Sequence, residues 1–339
     1  MPLIDTHTHY FPSRLIHGLA RRSDSPSVEN EDGVRYVRYG RYQRFPLRSA
    51  MTDIDAKISE MDRFGIDVSI LSVTMPGVDG LGADAIQVAG ETNDELAEIT
   101  SCHAHRLGWV ALLPMDEPEA AGTELRRAVA MGARGAMIYS NVAGRPLDLD
   151  IDAPVFEAAC ELDVPILLHP TLPLTAMTLQ EFELTSTLGY LFDTTTAALR
   201  LTLGGLFTRY PDLKFVVCHA GSLLPYQSGR IDYQAMNRPG GHGPITAAKP
   251  SEDLRKLYTD SVCLSPATLR FVVDFFSASH VMAGTDHPQW PIGDGLETLA
   301  ATELTDAERS AITYRTAAQL FNLPLAEPAA STTTSAAAD

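Results

Sequence analysis

Eight short apolar runs rich in β-branched residues recur along the chain, each closing in polar residues: Leu3–His9, Val68–Thr74, Gly108–Pro114, Ala133–Ser140, Pro165–Thr171, Lys214–Gly221, Leu257–Cys263 and Val281–Asp286. They are near-continuous rather than strictly alternating, which predicts strands buried on both faces of a parallel sheet. The stretches between them carry helical spacing and predict helices at about 52–64, 83–105, 117–131, 153–162, 188–209, 222–236, 266–277 and 294–303, with an extra one near 306–320. In the first of these, Thr52 is placed to cap while Ile54, Ile58, Met61 and Phe64 form one apolar stripe. Eight strand–helix units predict a (β/α)8 barrel, an α/β fold of the TIM type, with an open doubly wound sheet as the alternative. One domain is expected over 1–323. Its long interruption, about 20–50, follows the first strand, and there VRYVRYGRYQRFPLR alternates arginines with Tyr36, Tyr39, Tyr42 and Phe45, which predicts a small strand or hairpin insertion. The last residues, 324–339, are small and polar and are expected to form a disordered tail.

A barrel of this kind places its site at the C-terminal ends of the strands, so the residues closing each run are the ones to read. Strand one closes with His7-Thr8-His9, strand five with His169, strand six with His219 and strand eight with Asp286. Residues i and i+2 of a strand share a face, so His7 and His9 can grip one ion from one side. Imidazoles with a carboxylate suit Zn²⁺, and also Mn²⁺ or Fe²⁺, with positions left open for water and substrate. A lone histidine at a strand end is more often a hydrogen-bonded structural residue; four histidines and an aspartate on one rim are harder to explain as packing. A second HxH, His103-Ala104-His105, ends a helical stretch and reads as surface. His17 and His242 fall in or beside loops and His280 precedes strand eight at the opposite end, so none is favoured as a ligand. His287, next to Asp286, is expected to line the pocket without binding metal.

Charge narrows the partners. The 339 residues hold 43 acidic and 26 basic side chains, a net charge of −17, which argues against nucleic acid or an anionic membrane as partner. An anionic substrate must then meet a local cationic pocket. The arginine-rich segment 35–48 reads mainly as a solvated hairpin, with one or two arginines available to such a pocket. Cys102, Cys160, Cys218 and Cys263 form no CxxC pair and read as reduced, buried residues of a cytoplasmic protein. The start MPLIDTHTHYF is unlike a signal peptide, and no segment approaches eighteen uncharged apolar residues.

The DxHxH of Asp5, His7 and His9, the His169-Pro170 pair, the His219-Ala220-Gly221 step and the GTDHP of Gly284 to Pro288 together resemble the amidohydrolase superfamily. More narrowly, they resemble its decarboxylase branch, typified by aminocarboxymuconate-semialdehyde decarboxylase and including hydroxybenzoate and methylsalicylate decarboxylases. The likeness extends to about residue 323. It implies one metal, usually zinc, with manganese as the alternative, held by His7, His9, His169 and Asp286, and it implies His219 as acid/base. It also implies a carboxylate clamp: Arg230, in LPYQSGR, reaching the neighbouring subunit's site in a homodimer, and either Arg44 or Arg48, of which the spacing to Glu60-Met61-Asp62 favours Arg44. The strand-four sequence GAMIYSNVAG lacks the lysine that bridges two metals in many superfamily hydrolases, so a mononuclear site is expected. His169-Pro170-Thr171 and Asp286-His287-Pro288-Gln289-Trp290 depart from the HPW and DYPF of the muconate enzymes, and the stretch from HPTLP to HAGSLLPY looks like the methylsalicylate side. The implied activity is metal-dependent decarboxylation, without an organic cofactor, of a small unsaturated or aromatic acid. Hydrolysis of a lactone, amide or ester at a single metal is the alternative, and a non-enzymatic barrel with vestigial histidines is the third.

Overall fold

In a computed structural model, residues 2–41, 43–237 and 249–324 are described; Tyr42, His242 and nearly all of the expected tail lie outside them. The eight expected strands are present as β1 (Ile4–His9), β2 (Val68–Ser72), β3 (Leu107–Trp109 with Ala111–Leu112), β4 (Ala136–Tyr139), β5 (Ile166–His169), β6 (Phe215–Val217), β7 (Tyr258–Asp260) and β8 (Val281–Met282). Each pairs in parallel with the next. In β3 the chain changes partner at Val110, the first piece bonding to β2 and the second to β4. The circle closes between β8 and β1 through a parallel bridge from Thr8 to His287, with Thr6 N donating to Ala283 O at 2.9 Å and Asp286 N to His7 O at 2.7 Å. The fold is therefore a TIM barrel and not an open sheet.

β6 and β8 stop well short of the ends of their apolar runs. After β6, His219, Ala220, Gly221 and Ser222 all take left-handed backbone, with φ of 59°, 54°, 71° and 54°. Beyond β8, Asp286 sits at φ 56°. Non-glycine residues pay for such conformations, and they collect where a side chain must be aimed.

The helices after the strands are α1 (Ile54–Phe64), α2 (Ala85–Cys102), α3 (Pro118–Ala130), α4 (Ala153–Leu162), α5 (Tyr190–Leu203), α6 (Leu224–Asn237), α7 (Pro266–Phe276) and α8 (Ile292–Ala301). Asp53 caps α1, not Thr52: its carboxylate accepts from Asp55 N and Ala56 N, while Thr52 ends a separate turn, Ser49–Thr52. The single helix expected over 188–209 breaks where Gly205 adopts φ 102°. A helix absent from the expectations, Ser13–Ala20, buries Leu15, Ile16 and Leu19 and places His17 on a helix rather than in a loop. The insertion is a three-stranded antiparallel sheet, Ser27–Glu31, Val34–Tyr39 and Gln43–Pro46, whose first turn uses positive φ at both Asp32 and Gly33. Its Val37 and Tyr39 are buried beside the barrel mouth. Of the four cysteines only Cys218 is buried; Cys160 and Cys263 are partly so and Cys102 is exposed, because α2 ends there on the surface. Among the described residues no helix is long and apolar enough to cross a membrane.

Candidate metal centre

The rim brings His7, His9, His169, His219 and Asp286 into one cluster. Ring centroids of His7 lie 5.0 Å from His9, 5.2 Å from His169 and 4.9 Å from His219. The outer nitrogen of each inner histidine is committed, and the commitments fix the tautomers. His7 Nδ1 meets Asp260 Oδ2 at 2.7 Å and His169 Nδ1 donates to the carbonyl of Pro170 at 2.8 Å. Ser72 Oγ gives its own proton to Thr8 O, so it accepts from His9 Nδ1 at 3.0 Å. All three rings then turn Nε2 inward, and each offers a lone pair there when its ring is neutral. Asp286 Oδ1 faces two of them, at 2.9 Å from His9 Nε2 and 3.5 Å from His7 Nε2, and His7 Nε2 has no hydrogen-bond partner despite full burial. Acceptors pointed at one another in a buried space need positive charge between them.

The titration behaviour follows from the same geometry. Burial holds His9 down at about 4 and His169 well below the ordinary imidazole range, so both are neutral and available as ligands. Burial opposes charge on His7 as well, but the carboxylates of Asp260 and Asp286 outweigh it and push its pKa up to about 9, which marks a place that favours a cation. Burial would raise Asp286; the positive charge at His7 and the close His219 and His9 imidazoles overcome this and hold it well below the usual carboxylate range. His7, His169, His219 and Asp286 place one ligand atom each within 4.8 Å of one another, and His9 contacts Asp286 directly, so the donor set fits a single divalent ion.

Several supporting residues were not among the sequence candidates. Asp260, at the end of β7, accepts from His7 Nδ1 and from the backbone N–H groups of His219, Ala220 and Val262, each of the last three at 3.0 Å. It thereby holds the left-handed turn that presents His219. Asp5 accepts from Thr285 N and Oγ1 and from His7 N, tying β1 to the segment after β8. Lys57 of α1 is buried with its ammonium donating to Thr8 Oγ1 and His9 O at that same seam. Gly284 has no substitute there, since a Cβ would lie 2.8 Å from that of His7.

His219 is the most open imidazole of the cluster, with Nε2 3.4 Å from Asp286 Oδ2. It faces a cavity of about 1110 Å³ that His169 and Asp286 also line, walled by the insertion sheet and the segments after β5, β6 and β7. Of the arginine candidates only Arg44 lines this cavity, and its Nη1 is 2.6 Å from Glu31 while its guanidinium stacks 4.6 Å over Tyr36. Arg48 instead donates to Pro288 O at 2.9 Å, and Arg230 is exposed on α6, outside its own chain's cavity. His287 does not line the cavity: it is drawn to the β1–β8 seam, where its Nδ1 lies 3.4 Å from Lys57 Nζ. The second HxH is at the surface after α2, His103 partly and His105 fully exposed.

The amidohydrolase family model matches residues 4–323. A 2-amino-3-carboxymuconate-6-semialdehyde decarboxylase of Dictyostelium discoideum is 31% identical over 246 residues, covering 71% of this chain and 68% of the relative. A gamma-resorcylate decarboxylase of Polaromonas is 32% identical over 293 residues, covering 82% and 90%. Among solved structures, a Polaromonas dihydroxybenzoic acid decarboxylase with bound manganese and the inhibitor 2-nitroresorcinol superposes with a TM-score of 0.81 at 29% identity, covering 96% of this chain and 98% of that one.

Proposed function

The chain belongs to the amidohydrolase family and is a carboxy-lyase, and from that premise we propose that it removes CO2 from a small unsaturated or aromatic carboxylic acid at one divalent metal, without an organic cofactor. The observation that carries this reading is the convergence of three inward Nε2 lone pairs on the Asp286 carboxylate. We assign His7, His9, His169 and Asp286 as the ligands. A divalent ion held by them supplies Lewis-acid stabilisation of charge on substrate oxygens. Zinc suits the donor set; manganese in the Polaromonas structure makes Mn²⁺ its equal in any reconstitution.

The protein's own groups account for the rest of the reaction. The bond between the carboxyl and the neighbouring carbon breaks, its electron pair stays on that carbon, and a proton replaces CO2 there. His219, hydrogen-bonded to Asp286 Oδ2 and facing the cavity, holds and delivers that proton. Asp260 orients His7 through Nδ1 and His219 through its backbone, so it acts as a positioning residue. Asp260→Asn keeps the shape but removes the charge behind His7, and a loss of metal affinity of about 10- to 100-fold is expected. Competition with a chromophoric chelator reads this directly, and an unchanged affinity would remove Asp260 from the support of the centre.

Carboxylate recognition needs more cation than one chain's cavity offers, since Arg44 is already paired. Arg230 is exposed on α6 beside Tyr226 and Tyr233, which supports our assignment of the active species as a homodimer with Arg230 crossing between subunits. Mixing inactive Arg230→Ala with inactive Asp286→Asn subunits should then restore part of the activity, because one mixed site carries neither lesion; no restoration counts against the crossing. Four unpaired cysteines support a reducing compartment, the cytoplasm. The reaction class is tested by measuring CO2: its release in step with loss of the acid supports decarboxylation, while acid release from a lactone, amide or ester without CO2 supports hydrolysis.

A further inference from the structure

The cavity contains a second polar anchor besides the rim cluster. Tyr39, from the insertion sheet, and Tyr190, at the start of α5, both line it, and their hydroxyl oxygens are 2.7 Å apart. Two phenols in mutual contact own two protons but use only one between them. The accepting hydroxyl keeps its proton, and no other acceptor for either hydroxyl occurs among the described residues. Burial pushes both phenols up, so the pair stays neutral and remains a donor instead of becoming an anion. Its position is fixed before any ligand arrives: the Tyr39 ring packs edge-on against Phe45 at 5.9 Å, Phe45 packs against Phe11 at 5.7 Å, and Phe11 lies just beyond Tyr10 after the end of β1. A preset donor in an otherwise largely apolar wall selects for an acceptor oxygen on the ligand, since a ligand lacking one leaves the donor unpaired on binding.

Resting on the decarboxylase reading above, we propose that the Tyr39–Tyr190 pair determines specificity among hydroxyaryl acids, favouring one whose further oxygen, hydroxyl, ether or carbonyl, accepts the free phenolic proton. The insertion therefore does more than cover the mouth: it supplies one half of the group that reads the ring.

The test compares salicylate with the dihydroxybenzoates that place a second hydroxyl at each remaining ring position, using the Mn²⁺-loaded full chain and its double variant Tyr39→Phe with Tyr190→Phe. For at least one isomer the unsubstituted protein should show about a tenfold or larger advantage in kcat/KM over salicylate. Either phenol left alone still owns one free proton, so the donor is lost only in the double variant, where the ratio should fall to about twofold, with the change carried mainly by KM. Binding of 2-nitrophenol against the nitroresorcinols, followed by titration calorimetry, gives the same comparison without turnover. CO2 release with no preference among the isomers, or a preference that survives in the double variant, overturns the proposal while leaving the decarboxylase reading in place. Neither turnover nor binding of any member of the two panels overturns the hydroxyaryl assignment itself.

Discussion

Asp286→Asn is expected to lower kcat by about 10³-fold or more with the barrel intact. The native carboxylate is held ionised in a buried place by the charge of His7 and by the His219 and His9 imidazoles close beside it. An asparagine of the same size supplies one acceptor oxygen and no charge, and its amide must orient among imidazole nitrogens whose tautomers are already fixed by Asp260, Ser72 and Pro170. The centre thus loses both a ligand and the negative charge that makes a cation favourable there. Steady-state kinetics with metal analysis and circular dichroism separate this from unfolding. A folded variant retaining more than a tenth of the native kcat would remove Asp286 from the centre.

The second large effect belongs to His219. His219→Gln should reduce kcat by about 10² to 10⁴-fold, the range spanned by general acid–base groups, with KM little changed and metal content preserved. The distinction from Asp286 follows from position. His219 is the cluster member open to the cavity and is presented by a left-handed turn that Asp260 stabilises, whereas the inner three rings are fully enclosed. A variant with kcat within about threefold of native would leave the replacement proton to another group. Loss of metal together with loss of activity would instead make His219 a ligand.

The parts of this molecule differ in how far the sequence reveals them. Strand number was legible because parallel strands are apolar on both faces, and each run produced one strand. The ends of β6 and β8 were less so, because His219 to Ser222 and Asp286 take left-handed backbone that apolar pattern does not record. The convergence of His7, His9, His169, His219 and Asp286 could be read from strand ends, since β-strand alternation and the barrel's one-sided rim dictate it. Asp260 closes β7 in the same manner and should have been read with them; its signal was present as the last residue of Tyr258–Asp260. Lys57 was also visible in principle. It falls three residues after Ile54 and four before Met61, on the apolar face of α1, and a lysine there implies a buried acceptor set such as Thr8 Oγ1 and His9 O. The arginines were least legible. A long flexible side chain on a hairpin takes its partner from tertiary geometry, and so Arg44 went to Glu31 and Arg48 to Pro288 O.

Metal content coupled to CO2 release is the most direct test of the whole reading. The purified full chain is stripped with a chelator, then titrated with Mn²⁺ or Zn²⁺ while CO2 from carboxyl-labelled dihydroxybenzoate or aminocarboxymuconate semialdehyde is counted. The expected result is negligible release from the stripped protein and recovery that saturates at one equivalent of metal per chain, with one CO2 per acid consumed. Undiminished release from protein shown to be metal-free would contradict it.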